Sequence, residues 1–340
     1  MSELRPVGFL HIPKTAGMSV RAALLAHYPA EAVGPVRYDD RLFGPFTGYD
    51  TFAPALRAET LLPTDPAPVA PAHLLQLGHL SLQGLERLLP AARIFTVLRE
   101  PRARLLSHHL YWAVRPVEQN EAFGEYQVQR HAQHGLRGFL TADGAAHQHD
   151  NLLCRMLVDA PTLIPTDRPI DQAHHAEVAA QAIAAVGSLG LVTLVEDPTM
   201  WARIGEFVGH PLQAVRTNVT EAADAPVHFH GPQLDPDTVA LVNDRNGADL
   251  LLYHSVVAST FGCSAADAAA FADRHFVSQA ERYGRVTAAV TSGPAAAPPP
   301  SLQPEAATAT AAATATTSPT APSARTPHRA RRRRFGRFRT

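Results

Sequence analysis

Lysine is almost missing from this 340-residue chain: a single one, Lys14, stands against 29 arginines. Cysteine is nearly as scarce. Cys154 and Cys263 are too few for a disulfide framework and lack the paired spacing of a zinc site. That usage fits a reducing cytoplasm, the location expected here. No apolar run reaches spanning length, and MSELRP leads into an apolar stretch from Val7 without a signal-peptide core, so no transmembrane segment is expected. Three catalytic signatures are absent as well. Without a GxxxxGK[ST] loop, an HExxH pattern or a G-x-S-x-G elbow, the chain offers no standard frame for nucleoside triphosphate hydrolysis, zinc hydrolysis or a serine nucleophile. The histidine pairs His131/His134, His147/His149 and His228/His230 have no cysteine partner, and no metal site is expected among them.

What is present divides in two. Hydrophobic residues make up 46% of the chain, enough for a core, and from about Thr287 the composition turns to Ala, Thr and Pro without apolar periodicity. Residues 1–285 therefore read as the folded domain and 286–340 as a disordered tail. The tail holds eight Arg and one acid, Glu305, giving +7, so the body carries about −8. A body of that sign is a poor general binder of polyanions. The terminal Arg cluster reads first as a solubilising or merely tolerated extension, and Phe335 and Phe338 among its arginines would also suit an anionic partner.

Along the body, strand-like and helix-like patterns alternate. Val7 to Ile12 reads as a strand, Pro13 to Gly17 as a turn, and the residues to about His27 as a helix. Tyr28 to Pro71 has no sustained period and reads as a long loop. A second unit follows: His73 to Leu80 contains a strand end, Leu82 to Leu89 a short helix, Arg93 to Leu98 a strand, and Pro101 opens a helix. Further helices are expected within Val117–Phe139 and over Asn151–Val158, Ala173–Val186 and Thr199–Val208, with a buried strand at Leu189–Val195. Two helical segments meet at Asn246-Gly247, and a last one covers Ala265–Tyr283. Strands alternating with helices predict an α/β fold with a central parallel sheet.

The sharpest local feature is HIPKTAGMS, His11 to Ser19. A lysine among small and hydroxylated residues at a strand-to-helix turn offers backbone N–H groups, a helix N-terminus and a point charge to a phosphate-like group. Lysine usage sharpens the point. A chain that places Arg nearly everywhere else and keeps Lys here calls for a compact ammonium on a flexible stem. Further on, VLREPRARLLSHH puts Arg99 at a strand end, suited to bidentate phosphate recognition, and Ser107 on the following helix.

These two segments resemble the carbohydrate sulfotransferases of the Golgi type and their bacterial relatives. HIPKTAGMS is similar to the family's 5′-phosphosulfate loop, which assigns Pro13, Lys14, Thr15, Ala16, Gly17, Met18 and Ser19 to the co-substrate 3′-phosphoadenosine 5′-phosphosulfate (PAPS). VLREPRARLLSHH is similar to the 3′-phosphate segment and assigns Arg99 and Ser107. Between them, LGHLSLQGL resembles the uronyl 2-O-sulfotransferases, whose histidine is the proposed base; the matching residue is His79. Fainter likenesses at DNLLCRML, LVTLVEDPTMWARIGEFVG and RTNVT bring in Arg155, Glu196 and Asn218 with no role beyond lining a site.

The resemblance implies a three-layer, P-loop-like nucleotide-binding fold and in-line sulfuryl transfer to a hydroxyl, with a carbohydrate or glycolipid as acceptor. Lys14 and His79 would be the catalytic pair, and nothing in the sequence calls for a metal. The chain departs from the Golgi enzymes in lacking their anchor, their disulfides and a basic body, which argues against a heavily sulfated acceptor. Two rival readings exist: a nucleotide-dependent kinase, and a non-enzymatic protein binding through its basic tail.

Overall fold

A computed structural model of the chain describes residues 6–39, 42, 61–62, 73–90, 92–114, 126–142, 145–214, 229 and 233–292. It is an α/β structure with parallel sheets flanked by helices. The larger sheet has four strands in the order β4 (Leu75–Gln76), β1 (Val7–Leu10), β6 (Arg93–Leu98) and β7 (Leu191–Leu194). A smaller sheet orders β3 (Leu61–Leu62), β2 (Arg37–Asp39) and β5 (Gly78–His79). Every pairing in both sheets is parallel.

The strand sequences are nearly continuous apolar runs because the sheet is covered on both faces. Period-two alternation decides which residue goes where. Val7, Phe9, Phe95 and Val97 point into one core, shared with Val20 and Leu24 of α1 (Gly17–Leu25) and Met200, Ile204 and Val208 of α9 (Met200–Val208). Leu10, Ile94 and Leu98 point into the other. That larger core takes in α2 (Leu82–Leu88), α3 (Pro101–Ala113), α7 (Leu152–Leu157), α8 (His175–Gly187), α11 (Gly247–Phe261) and α12 (Ala265–Ser292). The remaining helices are α4 (Tyr126–Gln133), α5 (Leu136–Leu140), α6 (Ala146–His149) and α10 (Pro236–Asp244). Phe95 lies fully buried between Phe9 and Phe207, ring centroids 4.8 and 5.5 Å away, so truncating it to Ala would cost about 3–5 kcal/mol.

Three boundaries differ from the sequence reading. Within the stretch read as loop, β2 and β3 form, and strands of two or three residues are too short to show a period of two. The helical region ending near Phe139 is broken at Gly135, whose φ of 97° no continuing helix allows. The last helix runs on to Ser292, past Tyr283 and past the expected domain edge at 285. Within this extension the Thr287 hydroxyl donates to the Tyr283 carbonyl one turn back, at 3.0 Å. Among the described residues no single helix is long and apolar enough to cross a membrane.

Candidate functional site

Because β1 and β6 are parallel neighbours in register, Leu10 opposite Thr96, their carboxyl ends open on the same edge. The Pro13–Gly17 turn and Arg99 therefore meet there. The turn is strained: Lys14 and Ala16 have left-handed backbones, with φ of 69° and 63°. Such conformations in residues other than glycine persist where the surroundings impose them, and they concentrate at functional sites. The Thr15 hydroxyl is turned inward, donating to the Ile12 carbonyl at 2.9 Å, so it supports the turn. Gly17 is required by packing: a Cβ there would fall 1.8 Å from the His11 ring. Pro13 and Ser19 are buried and Met18 is exposed. What Thr15 to Ser19 can present to an anion is chiefly backbone N–H. α1 has no side-chain cap and no acid in its first turn, which leaves its N-terminus electropositive.

Lys14 projects over the Tyr111 ring, its Nζ 4.3 Å from the centroid. Along the otherwise buried α3, Ser107 and Tyr111 are half-buried positions one turn apart, hence on one face. Tyr111 beneath Lys14 brings Ser107's face to the turn. Arg99 closes the other side, donating through Nη1 to the Lys14 carbonyl at 3.2 Å and through Nη2 to Gln279 Oε1 at 2.9 Å. Burial lowers the Arg99 pKa, against which the Glu196 carboxylate nearby favours the charged form. Glu196 also accepts the Glu100 N–H at 3.0 Å.

His79 arrives from the smaller sheet. Gly78 before it sits at φ 135° with the Arg37 backbone where a Cβ would be, 2.3 Å from its carbonyl oxygen; only glycine lets β5 approach β2 this way. Asp39 at the end of β2 accepts from the Ser81 hydroxyl, and Ser81 caps α2 by accepting the Gly84 N–H at 3.1 Å. His79 is thereby fixed from both sides. Its Nδ1 lies 2.9 Å from the His11 carbonyl oxygen. A carbonyl only accepts, so Nδ1 carries the hydrogen and Nε2 the basic lone pair. Burial lowers its pKa, the His11 hydrogen bond partly offsets this, and the Lys14 charge lowers it further. The imidazole is neutral at pH 7, the form a general base requires.

The structure thus brings together Lys14, Arg99, His79 and the Ser107 face of α3. Of the fainter candidates, Glu196 sits beside Arg99 at the edge of this group, and Arg155 stands apart from it. Arg155 pairs with Asp150 at 2.7 Å in the core, both side chains 1% exposed, and that pair is architectural. His147 and His149 are both buried, His149 edge-on to Phe139 with ring centroids 5.4 Å apart, and among the described residues no group of three His, Cys, Asp or Glu could hold a metal. Asn218, His228 and His230 lie outside the described residues. Tyr111, Gln279 and Tyr38, whose ring centroid is 5.7 Å from that of His79, were missed by motif reading. Only Tyr111 left a signal, one turn beyond Ser107. A cavity of about 440 Å³ lined by Arg93, Ile94 and Gly190 opens at the opposite, amino end of β6 and shares nothing with this group. No protein-family model matches the chain, and no curated protein matches it significantly in sequence.

Proposed function

We propose that the chain is a PAPS-dependent sulfotransferase with a three-layer, P-loop-like fold, acting on a hydroxyl of a carbohydrate or glycolipid. One observation carries the reading: a strained, uncapped turn with the sole lysine, a half-buried arginine at the next strand end and a neutral histidine converge on one sheet edge. Each fits the group it would meet. The turn's N–H groups and Lys14 suit a phosphosulfate, and Arg99 with Ser107 suits a second phosphate.

PAPS would supply a sulfuryl group on a good leaving phosphate. His79 Nε2 takes the proton of the acceptor hydroxyl as that oxygen bonds to sulfur. The sulfur–oxygen bond to the phosphate breaks, and its electron pair stays on the phosphate oxygen beside Lys14. Tyr111 keeps the Lys14 ammonium over the turn between cycles. The test is incubation with sulfur-labelled PAPS and an array of glycans and glycolipids. Label transfer that depends on Lys14 is expected; phosphoryl transfer from ATP and Mg²⁺ with no label transfer would establish the kinase reading in its place.

A further inference from the structure

The last helix, α12, packs along α3 beside the candidate site. Its contacts with α3 run along one stripe at helical spacing. Asp273 accepts from Arg102 Nη2 at 2.9 Å, the Phe276 ring lies 4.4 Å from the Arg102 guanidinium, and Tyr283 Oη donates to His109 Nδ1 at 2.9 Å. Gln279 belongs to the same stripe. It is 8% exposed, and its Oε1 takes one hydrogen of Arg99 Nη2. Arg282, exposed and one turn on, shares the Gln279 side of the helix, which brings its charge next to Arg99.

From this geometry we infer that α12 forms a wall of the donor site, with Gln279 as a positioning residue for Arg99 and Arg282 as a second cation for the nucleotide 3′-phosphate. The inference rests on the donor reading given above and adds to it the residues that set specificity. Electrostatics point the same way: burial, the largest influence, lowers the Arg99 pKa, Glu196 opposes it, and the Arg282 charge lowers it further. Two guanidinium groups held close repel one another, and a dianion between them converts that repulsion into attraction. Gln279 engages one edge of the fork, and an arginine offers five N–H donors, so hydrogens remain on Arg99 for a phosphate. A neutral amide fixes the fork's orientation without competing as a carboxylate would.

The test is calorimetric titration of full-length wild type, Arg282→Ala, Gln279→Ala and Gln279→Glu with adenosine 3′,5′-bisphosphate and with AMP, which lacks the 3′-phosphate. Arg282→Ala should weaken the bisphosphate about five- to tenfold and leave AMP unchanged, the range expected for a partly exposed charge-assisted contact. Gln279→Glu should weaken the bisphosphate more than Gln279→Ala does, because its carboxylate occupies Arg99. Unchanged bisphosphate affinity in Arg282→Ala, or equal losses for both nucleotides, would overturn the role of α12. A wild type that prefers neither nucleotide would overturn the donor reading itself, and α12's role with it.

Discussion

The two strand–turn–helix units of the larger sheet are built alike and finished differently. After β6, Glu100 caps α3: its carboxylate accepts the Ala103 N–H at 2.6 Å and pairs with Arg102 at 2.6 Å, with Pro101 in the first turn. After β1, α1 follows a left-handed N-cap residue, Ala16, with no side-chain cap and no acid in its first turn. The second unit satisfies its own N-terminus, and the first leaves it to something else. Arg99 joins them, leaving the capped unit to brace the Lys14 carbonyl of the uncapped one. On the proposed reading, the capped turn serves stability and the uncapped one serves binding.

The largest effect that would break this contrast concerns the uncapped turn. Lys14→Ala and Lys14→Arg should both slow single-turnover sulfuryl transfer by about 10²-fold or more, since a misplacement of about 1 Å can cost that much even with charge retained. A wild-type rate in Lys14→Arg would reduce the residue to a generic positive charge. His79→Ala should spare nucleotide affinity and lower turnover by roughly 10²-fold, the lower range for a general base. Near-normal turnover would leave His79 a packing residue.

Arg99→Ala should weaken nucleotides with a 3′-phosphate by about 10–100-fold relative to those without it, the span of a lost charge-assisted pair. Equal weakening would mean that Arg99 serves only the turn. On the capped side, Glu100→Ala should cost about 1–2 kcal/mol in urea unfolding, as caps do, without changing nucleotide preference. If preference changed instead, the division between the two turns would fail.

Acid should separate activity from stability. His79 acts as a base only when neutral, and its pKa is lowered, so the acid limb of turnover should lie below the ordinary imidazole value of 6.5. The fold responds through His109, whose pKa is pushed down to about 4 by burial; its Nε2 donates to the Ala132 carbonyl at 2.9 Å and its Nδ1 accepts from Tyr283. Below pH 6.5 the unfolded chain gains a proton that the folded chain refuses. Stability is therefore full above 6.5 and falls by about 1.4 kcal/mol per pH unit for this group until about pH 4. Urea midpoints across that window would show it, and a midpoint that rose on acidification would contradict it.

Much of this was legible in the sequence, for identifiable reasons. Val7–Leu10, Arg93–Leu98 and Leu191–Leu194 announce themselves as buried parallel strands because each is a nearly continuous apolar run, and Lys14 stands out because the chain uses lysine nowhere else. The placement of His79 was not legible. It depends on β2 and β5, strands of three and two residues joined through Gly78, which carry too few positions for a pattern. Gln279 was invisible for another reason: it lies 180 positions from Arg99, and only the crossing of α12 over α3 brings them together.

The central claim is that the uncapped turn and Arg99 together hold a nucleotide bearing phosphates at both ends of its ribose. Calorimetric titration of the full-length protein with adenosine 3′,5′-bisphosphate, AMP and ATP tests it most directly. The account predicts tight binding of the bisphosphate, at least about tenfold weaker binding of AMP, which loses the charge-assisted contacts of Arg99, and no preference for ATP with or without Mg²⁺. Binding of ATP in preference to the bisphosphate would contradict it.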